Sequence, residues 1–143
     1  MKFKKLRPDA KAPVYGSVDA AGADLYACIS EPVTFAPGQT IMIPTGIAVA
    51  IPRGYVGLVF ARSSLGTKRG LAPANKVGVI DADYRGEIMV SLHNHSSDTQ
   101  TIDAYERVAQ MAIVPFLQVS YEEAEDLDET ERGEGGFGST GTK

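Results

Sequence analysis

The densest run of chemically capable side chains in this sequence is Asn75-Lys76-Val77-Gly78-Val79-Ile80-Asp81-Ala82-Asp83-Tyr84-Arg85-Gly86-Glu87-Ile88-Met89. Apolar residues flank the polar centre on both sides, the pattern of a β-hairpin. Asp and Gly form turns unaided, but two acids one residue apart, with a tyrosine directly after, exceed what a turn needs. In a strand-like segment Asp81 and Asp83 share one face and Ala82 and Tyr84 the other. A carboxylate held there beside a phosphate can serve as general base toward water.

Three further clusters carry polar groups. Ala61-Arg62-Ser63-Ser64-Leu65-Gly66 places an arginine and two hydroxyls at a helix start, where free amides favour an anion; Ser63 or Ser64 as a plain N-cap explains the same residues. Ala20-Ala21-Gly22-Ala23-Asp24-Leu25-Tyr26-Ala27 holds a lone acid opening a strand. Asp24 is either a turn residue or a holder of a hydrated cation through water. In Tyr105-Glu106-Arg107-Val108-Ala109-Gln110-Met111, strand alternation sets Arg107 and Gln110 on opposite faces, and a buried arginine paired with an acid accounts for Arg107. His93 and His95 share a strand face, but two imidazoles without further ligands do not make a metal site, so a surface pair is expected.

The C-terminal stretch Arg132 to Gly141 has five glycines in ten residues, too many for a fixed helix or strand. Set among them are Arg132, Phe137, Gly138, Ser139 and Thr140. Arg132 can pair with phosphate, Phe137 can stack on a base, and the amides and hydroxyls can wrap phosphate oxygens. A solvated Gly/Ser linker is the plainer reading.

These clusters must be positioned by a chain of 143 residues, enough for one core. The net charge of −4 argues against a nucleic-acid coat. No apolar run approaches the ~20 residues that span a bilayer, and the basic start lacks the apolar stretch of a signal peptide. The single Cys28 excludes an internal disulfide and fits a reducing cytoplasm. Residues 121–134 hold eight of the 18 acids and one base, an acidic connector between a mildly basic body and the glycine-rich tail.

The apolar period is two. Thr40–Ile43, Gly46–Ile51, Tyr55–Phe60, Glu87–Leu92 and Val108–Val114 are short runs rich in β-branched residues. Prolines punctuate them and forbid long helices. A turn or two of helix follows Ser63-Ser64, with Gly70 as its stop. An all-β sandwich, jelly roll or barrel is expected, its body covering residues 1–118 and an arm 119–143.

In order and spacing, the stretches 20–27, 61–66, 75–86, 105–111 and 132–141 closely resemble the five motifs of the homotrimeric deoxyuridine triphosphatases, across essentially the whole chain. The resemblance implies an antiparallel β jelly roll with one short helix and a swapped C-terminal arm. It implies hydrolysis of dUTP to dUMP and pyrophosphate with Mg²⁺, which keeps uracil out of DNA and supplies dUMP for thymidylate synthesis. Asp81 would deprotonate the attacking water. The backbone around Val79 and Ile80, with Asn75, would read the uracil edge, Tyr84 would pack under deoxyribose, and Met89 would line the pocket. Arg62, Ser63, Ser64, Gln110 and Arg132 would face the triphosphate, Asp24 would hold Mg²⁺ through water, and Phe137 would stack on the base, with Gly138 and Ser139 beside it. The sequence departs from the family at Asp103-Ala104-Tyr105-Glu106, where a Pro-Gly turn is common.

A homotrimer with sites at subunit boundaries is the expected partner arrangement. One chain has little surface with which to enclose a nucleotide, and the 14-residue connector reaches ~45 Å when extended. The alternatives are a dCTP deaminase-type enzyme on the same fold and a non-catalytic nucleotide-binding module. Ser91-Leu92-His93-Asn94 stands where a deaminase's glutamate is expected, and an unpaired carboxylate near phosphates gains a mere binder nothing.

Overall fold

Short β-branched runs broken by proline and glycine become twelve short strands in the computed structural model, which describes residues 1–136. Phe137, Gly138 and Ser139 lie outside the described residues. In chain order the strands are β1 (Lys2–Lys5), β2 (Val14–Tyr15), β3 (Gly22–Tyr26), β4 (Val33–Phe35), β5 (Thr40–Pro44), β6 (Ile47–Ala50), β7 (Tyr55–Phe60), β8 (Leu71–Pro73), β9 (Gly78–Ile80), β10 (Met89–Asn94), β11 (Gln100–Ile102) and β12 (Arg107–Pro115). All pairings are antiparallel. The largest sheet runs β2-β3-β12-β7-β9; beside it stand β5-β10-β8 and the pairs β1-β6 and β11-β4.

Leu25, Phe35, Ile43, Ile47, Val59, Leu71, Leu92, Ile102 and Met111 belong to one buried cluster. They come from nine different strands and from all four sheets, so the sheets close around a single core, the all-β arrangement expected. Cys28 is buried within it, and burial pushes its thiol pKa up. The five expected strand runs are present, with ends shifted by one or two residues. The strands that sequence alone did not reveal are short or polar: β1 is Lys-Phe-Lys-Lys, wholly exposed, and pairs with β6.

The expected helix is a five-residue π-helical turn, Ser64–Lys68, with Gly70 at φ +65 ending it. Ser63 occupies the cap position with helical backbone angles and makes no side-chain cap bond, which corrects the capping reading. The expected hairpin around Asp81 is also corrected. β9 pairs with β7, whereas β10 pairs with β5 and β8. Residues 81–88 therefore cross between two sheets instead of joining neighbouring strands. The apolar flanks that suggested a hairpin pair with strands of different sheets. Beyond Pro115 the described chain, residues 116–136, forms no helix or strand.

Candidate active site

The first half of the site sits at one end of the five-stranded sheet. Asp24 on β3 lies opposite Gln110 on β12, and Gln110 lies opposite Phe60, the last residue of β7. From there the chain turns through Ala61 into Arg62. The Gln110 side-chain amide donates to the Ala61 carbonyl at 3.0 Å, fixing the start of that turn. Gly22 leaves room beside it: a Cβ there would stand 2.6 Å from Gln110 Oε1 and would displace that side-chain end.

Asp24 is 8% exposed and both its oxygens are engaged. Oδ1 accepts from Arg62 Nε at 2.7 Å and Oδ2 from Arg107 Nη1 at 3.2 Å. One carboxylate against two guanidiniums leaves a surplus positive charge facing outward, suited to an anion. Arg62 Nη1 lies 3.4 Å from Ser64 Oγ, and both serines are exposed. The Ser64 hydroxyl thus stands beside the arginine.

Arg107 and Gln110 share a face, contrary to the alternation expected from spacing. A β-bulge between Arg107 and Ala109 sets Arg107 opposite Tyr26 while Gln110 stays opposite Asp24. Tyr26 and Asp24 are two residues apart on β3, so the extra residue restores the shared side. Arg107 is half exposed, not buried, and its acidic partner is Asp24.

The bulge follows the turn at which the sequence departs from a Pro-Gly pattern. Tyr105 adopts φ +62, the left-handed region that glycine enters freely and other residues enter at a cost of ~1–2 kcal/mol. Its side chain is held by neighbours. Lys11 Nζ lies 4.9 Å from the Tyr105 ring centroid and 5.2 Å from that of Tyr26, and the Tyr105 hydroxyl approaches Asp9 at 3.5 Å.

The second half of the site is the edge of the same sheet. Among the described residues β9 pairs only with β7, so the other side of Gly78–Ile80 presents backbone donors and acceptors. Val79 is 60% exposed. Asn75 lies in the turn before β9, where Lys76 takes φ +66 and donates its N–H to the Pro73 carbonyl. After β9, Tyr84 N–H donates to Asp81 O in a tight turn, and the Tyr84 hydroxyl donates to Glu87 O at 3.0 Å. Asp81, Tyr84 and Met89 are all exposed. Asp81 and Asp83 line a cleft of about 660 Å³ together with Arg53, Arg85 and Phe116.

A single chain does not bring the two halves together. Ile80 lies opposite Gly57, three residues along β7 from Phe60, or about 10 Å, and two strand spacings aside from β12, or about 10 Å more. None of Arg62, Ser64 or Gln110 lines the Asp81 cleft. Arg132 remains on the arm, where its Nε donates to Gly135 O at 2.7 Å.

His93 and His95 do share a face, with ring centroids 4.3 Å apart. His93 Nδ1 meets Thr40 Oγ1 at 2.8 Å, and His95 Nε2 meets Lys76 Nζ at 3.3 Å. Desolvation, then Lys76 and His93, holds the His95 pKa below its ordinary value.

Among the described residues no cluster of three His, Cys, Asp or Glu side chains could hold a metal. The donor set fits Mg²⁺ in another way. Mg²⁺ keeps several waters and is commonly held by one or two carboxylates plus substrate phosphates. Each Asp24 oxygen retains a lone pair beyond its arginine contact, so the carboxylate can accept from a metal-bound water without leaving the arginines.

Comparison with known proteins agrees with this geometry. The dUTPase family model matches residues 8–141. The deoxyuridine 5'-triphosphate nucleotidohydrolase of Hahella chejuensis is 48% identical over 141 residues, covering 98% of this chain and 93% of that one. The enzyme of the same name from Neisseria meningitidis serogroup B is 46% identical, covering 99% and 95%. Among solved structures, the Staphylococcus bacteriophage 80alpha dUTPase with dUpNHpp superposes with a TM-score of 0.89 at 30% identity, covering 99% of this chain and 98% of that one. A mutant dUTPase of phage phi11 of S. aureus, in which a structural Mg(II) ion is coordinated, gives 0.78 at 26% identity, covering 87% and 96%. With the family model spanning nearly the whole sequence and relatives at this identity end to end, the chain belongs to the dUTPase family.

Proposed function

We propose that this protein hydrolyses dUTP to dUMP and pyrophosphate, by water attack on a phosphorus with Asp81 as general base. The observation that carries the reading is the family match over residues 8–141, on a chain that sets Arg62 and Arg107 around Asp24. The exposed edge of β9 supports recognition of the uracil edge by the backbone of Val79 and Ile80, with Asn75 beside them. In this reading Tyr84 packs under deoxyribose and Met89 lines the pocket; both side chains are exposed. Reading the base by hydrogen bonds rejects cytosine strongly, because its reversed donors and acceptors leave groups unpaired, on the order of 10⁴-fold or more. Arg62, Ser63, Ser64 and Gln110 bind the triphosphate; Arg132, Phe137, Gly138 and Ser139 complete the enclosure from the arm. Mg²⁺, when bound with the triphosphate, neutralises its charge, and Asp24 meets it through water while holding the two arginines. Cys28, unpaired, suits a cytoplasmic setting.

The assay is direct. Incubation with dUTP, dCTP, dTTP and UTP in the presence of Mg²⁺ is expected to consume dUTP and yield dUMP and pyrophosphate. Orthophosphate with dUDP, or dUTP formed from dCTP, overturns the reading.

The separation of Asp81 from the Arg62 row supports a homotrimer whose sites form at subunit boundaries, the body of residues 1–118 packing threefold and the arm of 119–143 reaching a neighbour. Light scattering at assay concentration is expected to give three times the chain mass. An active monomer refutes this arrangement.

A further inference from the structure

The π-helical turn that carries Ser64 is poorly held by its own contacts. It has five residues, no side-chain cap, and one buried residue, Leu65. A helix this short gains little from propagation, and π geometry is rare and concentrated at functional sites. Its far end is closed by Arg69. The Arg69 N–H donates to Leu65 O, and its guanidinium reaches three acceptors outside the turn: Gln100 Oε1 at 3.0 Å, the Thr101 carbonyl and the Glu106 carboxylate. Glu106 uses its other oxygen to accept the Asp103 N–H at 3.0 Å, and it directly precedes Arg107.

We propose that Arg69 is a positioning residue for the triphosphate site, acting through Glu106 to lock the Arg62–Ser64 segment against the start of β12. The inference rests on the dUTP-hydrolase reading of that site. Besides the Gln110–Ala61 hydrogen bond, two charged ties join these segments among the described residues. One is Arg62–Asp24–Arg107; the other is Arg69–Glu106. The first faces the substrate, and a triphosphate competes with Asp24 for the same guanidiniums. The second is out of the substrate's way and stays made while the first is stretched. The planar fork of arginine suits the task, since it meets several acceptors in fixed directions.

The test uses Arg69→Met, which keeps the aliphatic stem and removes the fork, and Glu106→Gln, which keeps an acceptor for Asp103 and removes the charge. Wild-type turnover of dUTP, measured alongside, stands or falls with the general reading independently of these variants. In both variants KM for dUTP and the dissociation constant of dUpNHpp are expected to rise ~10- to 100-fold, the range for displaced binding groups, while affinity for deoxyuridine, which has no phosphate, stays at the wild-type value. Arg69→Lys should recover part of the loss. Equal weakening of dUpNHpp and deoxyuridine, or unchanged dUpNHpp affinity with only a lower Tm, overturns the proposal. If Arg69→Met does not fold, Glu106→Gln decides by the same two affinities.

Discussion

Replacing Asp81 with Asn is expected to leave the nucleotide bound and to lower turnover ~10²- to 10⁴-fold, the contribution typical of a general base. The Asp81 carboxylate is exposed, and the turn beside it is closed by its backbone carbonyl, which accepts from Tyr84 N–H. Among the described residues no ion pair involves it. The amide therefore fits without disturbing the fold, yet it cannot take a proton from water. Proton release reports turnover, and calorimetric titration with dUpNHpp reports binding. Near-wild-type proton release in the variant would remove Asp81 from the role.

Deleting residues 132–143 is expected to leave a folded trimer with turnover reduced on the order of 10²-fold. The last strand ends at Pro115, and residues 116–136 add no helix or strand, so the core does not depend on the arm. The loss is catalytic because a closing segment excludes water and completes the contacts around substrate. Phe137→Ala alone should remove one base-stacking contact, worth ~1–3 kcal/mol. Phe137→Trp should keep the stack and, in a chain without tryptophan, report closure by a change in emission on adding dUpNHpp and Mg²⁺. Full-rate hydrolysis by the truncated chain, with a flat tryptophan signal, would return the tail to a solvated linker.

The sheet-forming runs were legible because apolar alternation is local: β5, β7 and β12 can be read from their own residues. Partnership was not. β9 and β10 flank Asp81 like two arms of a hairpin, and only the packing of Ile80 near Gly57 and of Leu92 in the core shows that they serve different sheets. The residue types of the phosphate site were equally visible, but not its internal wiring. The bulge after Arg107 reverses the strand phase, and nothing in Arg107-Val108-Ala109 announces it. Asp24 reads as a lone acid because its partners lie 38 and 83 residues away. Ser63 reads as a cap because serine commonly is one, whereas here its backbone is already helical. Tyr105 carries the only clear sequence warning, an aromatic residue where a turn would favour glycine.

The distance between Asp81 and the Arg62 row along one sheet has a consequence for inheritance. Where a working site takes Asp81 from one subunit and Arg62 from another, the two defects belong to different genetic units within a single gene. A chain carrying Asp81→Asn and a chain carrying Arg62→Ala are each inactive alone. In randomly mixed trimers, about one site in four draws both intact residues from complementary chains. Alleles at these positions should therefore complement one another, as though the enzyme were encoded by two genes.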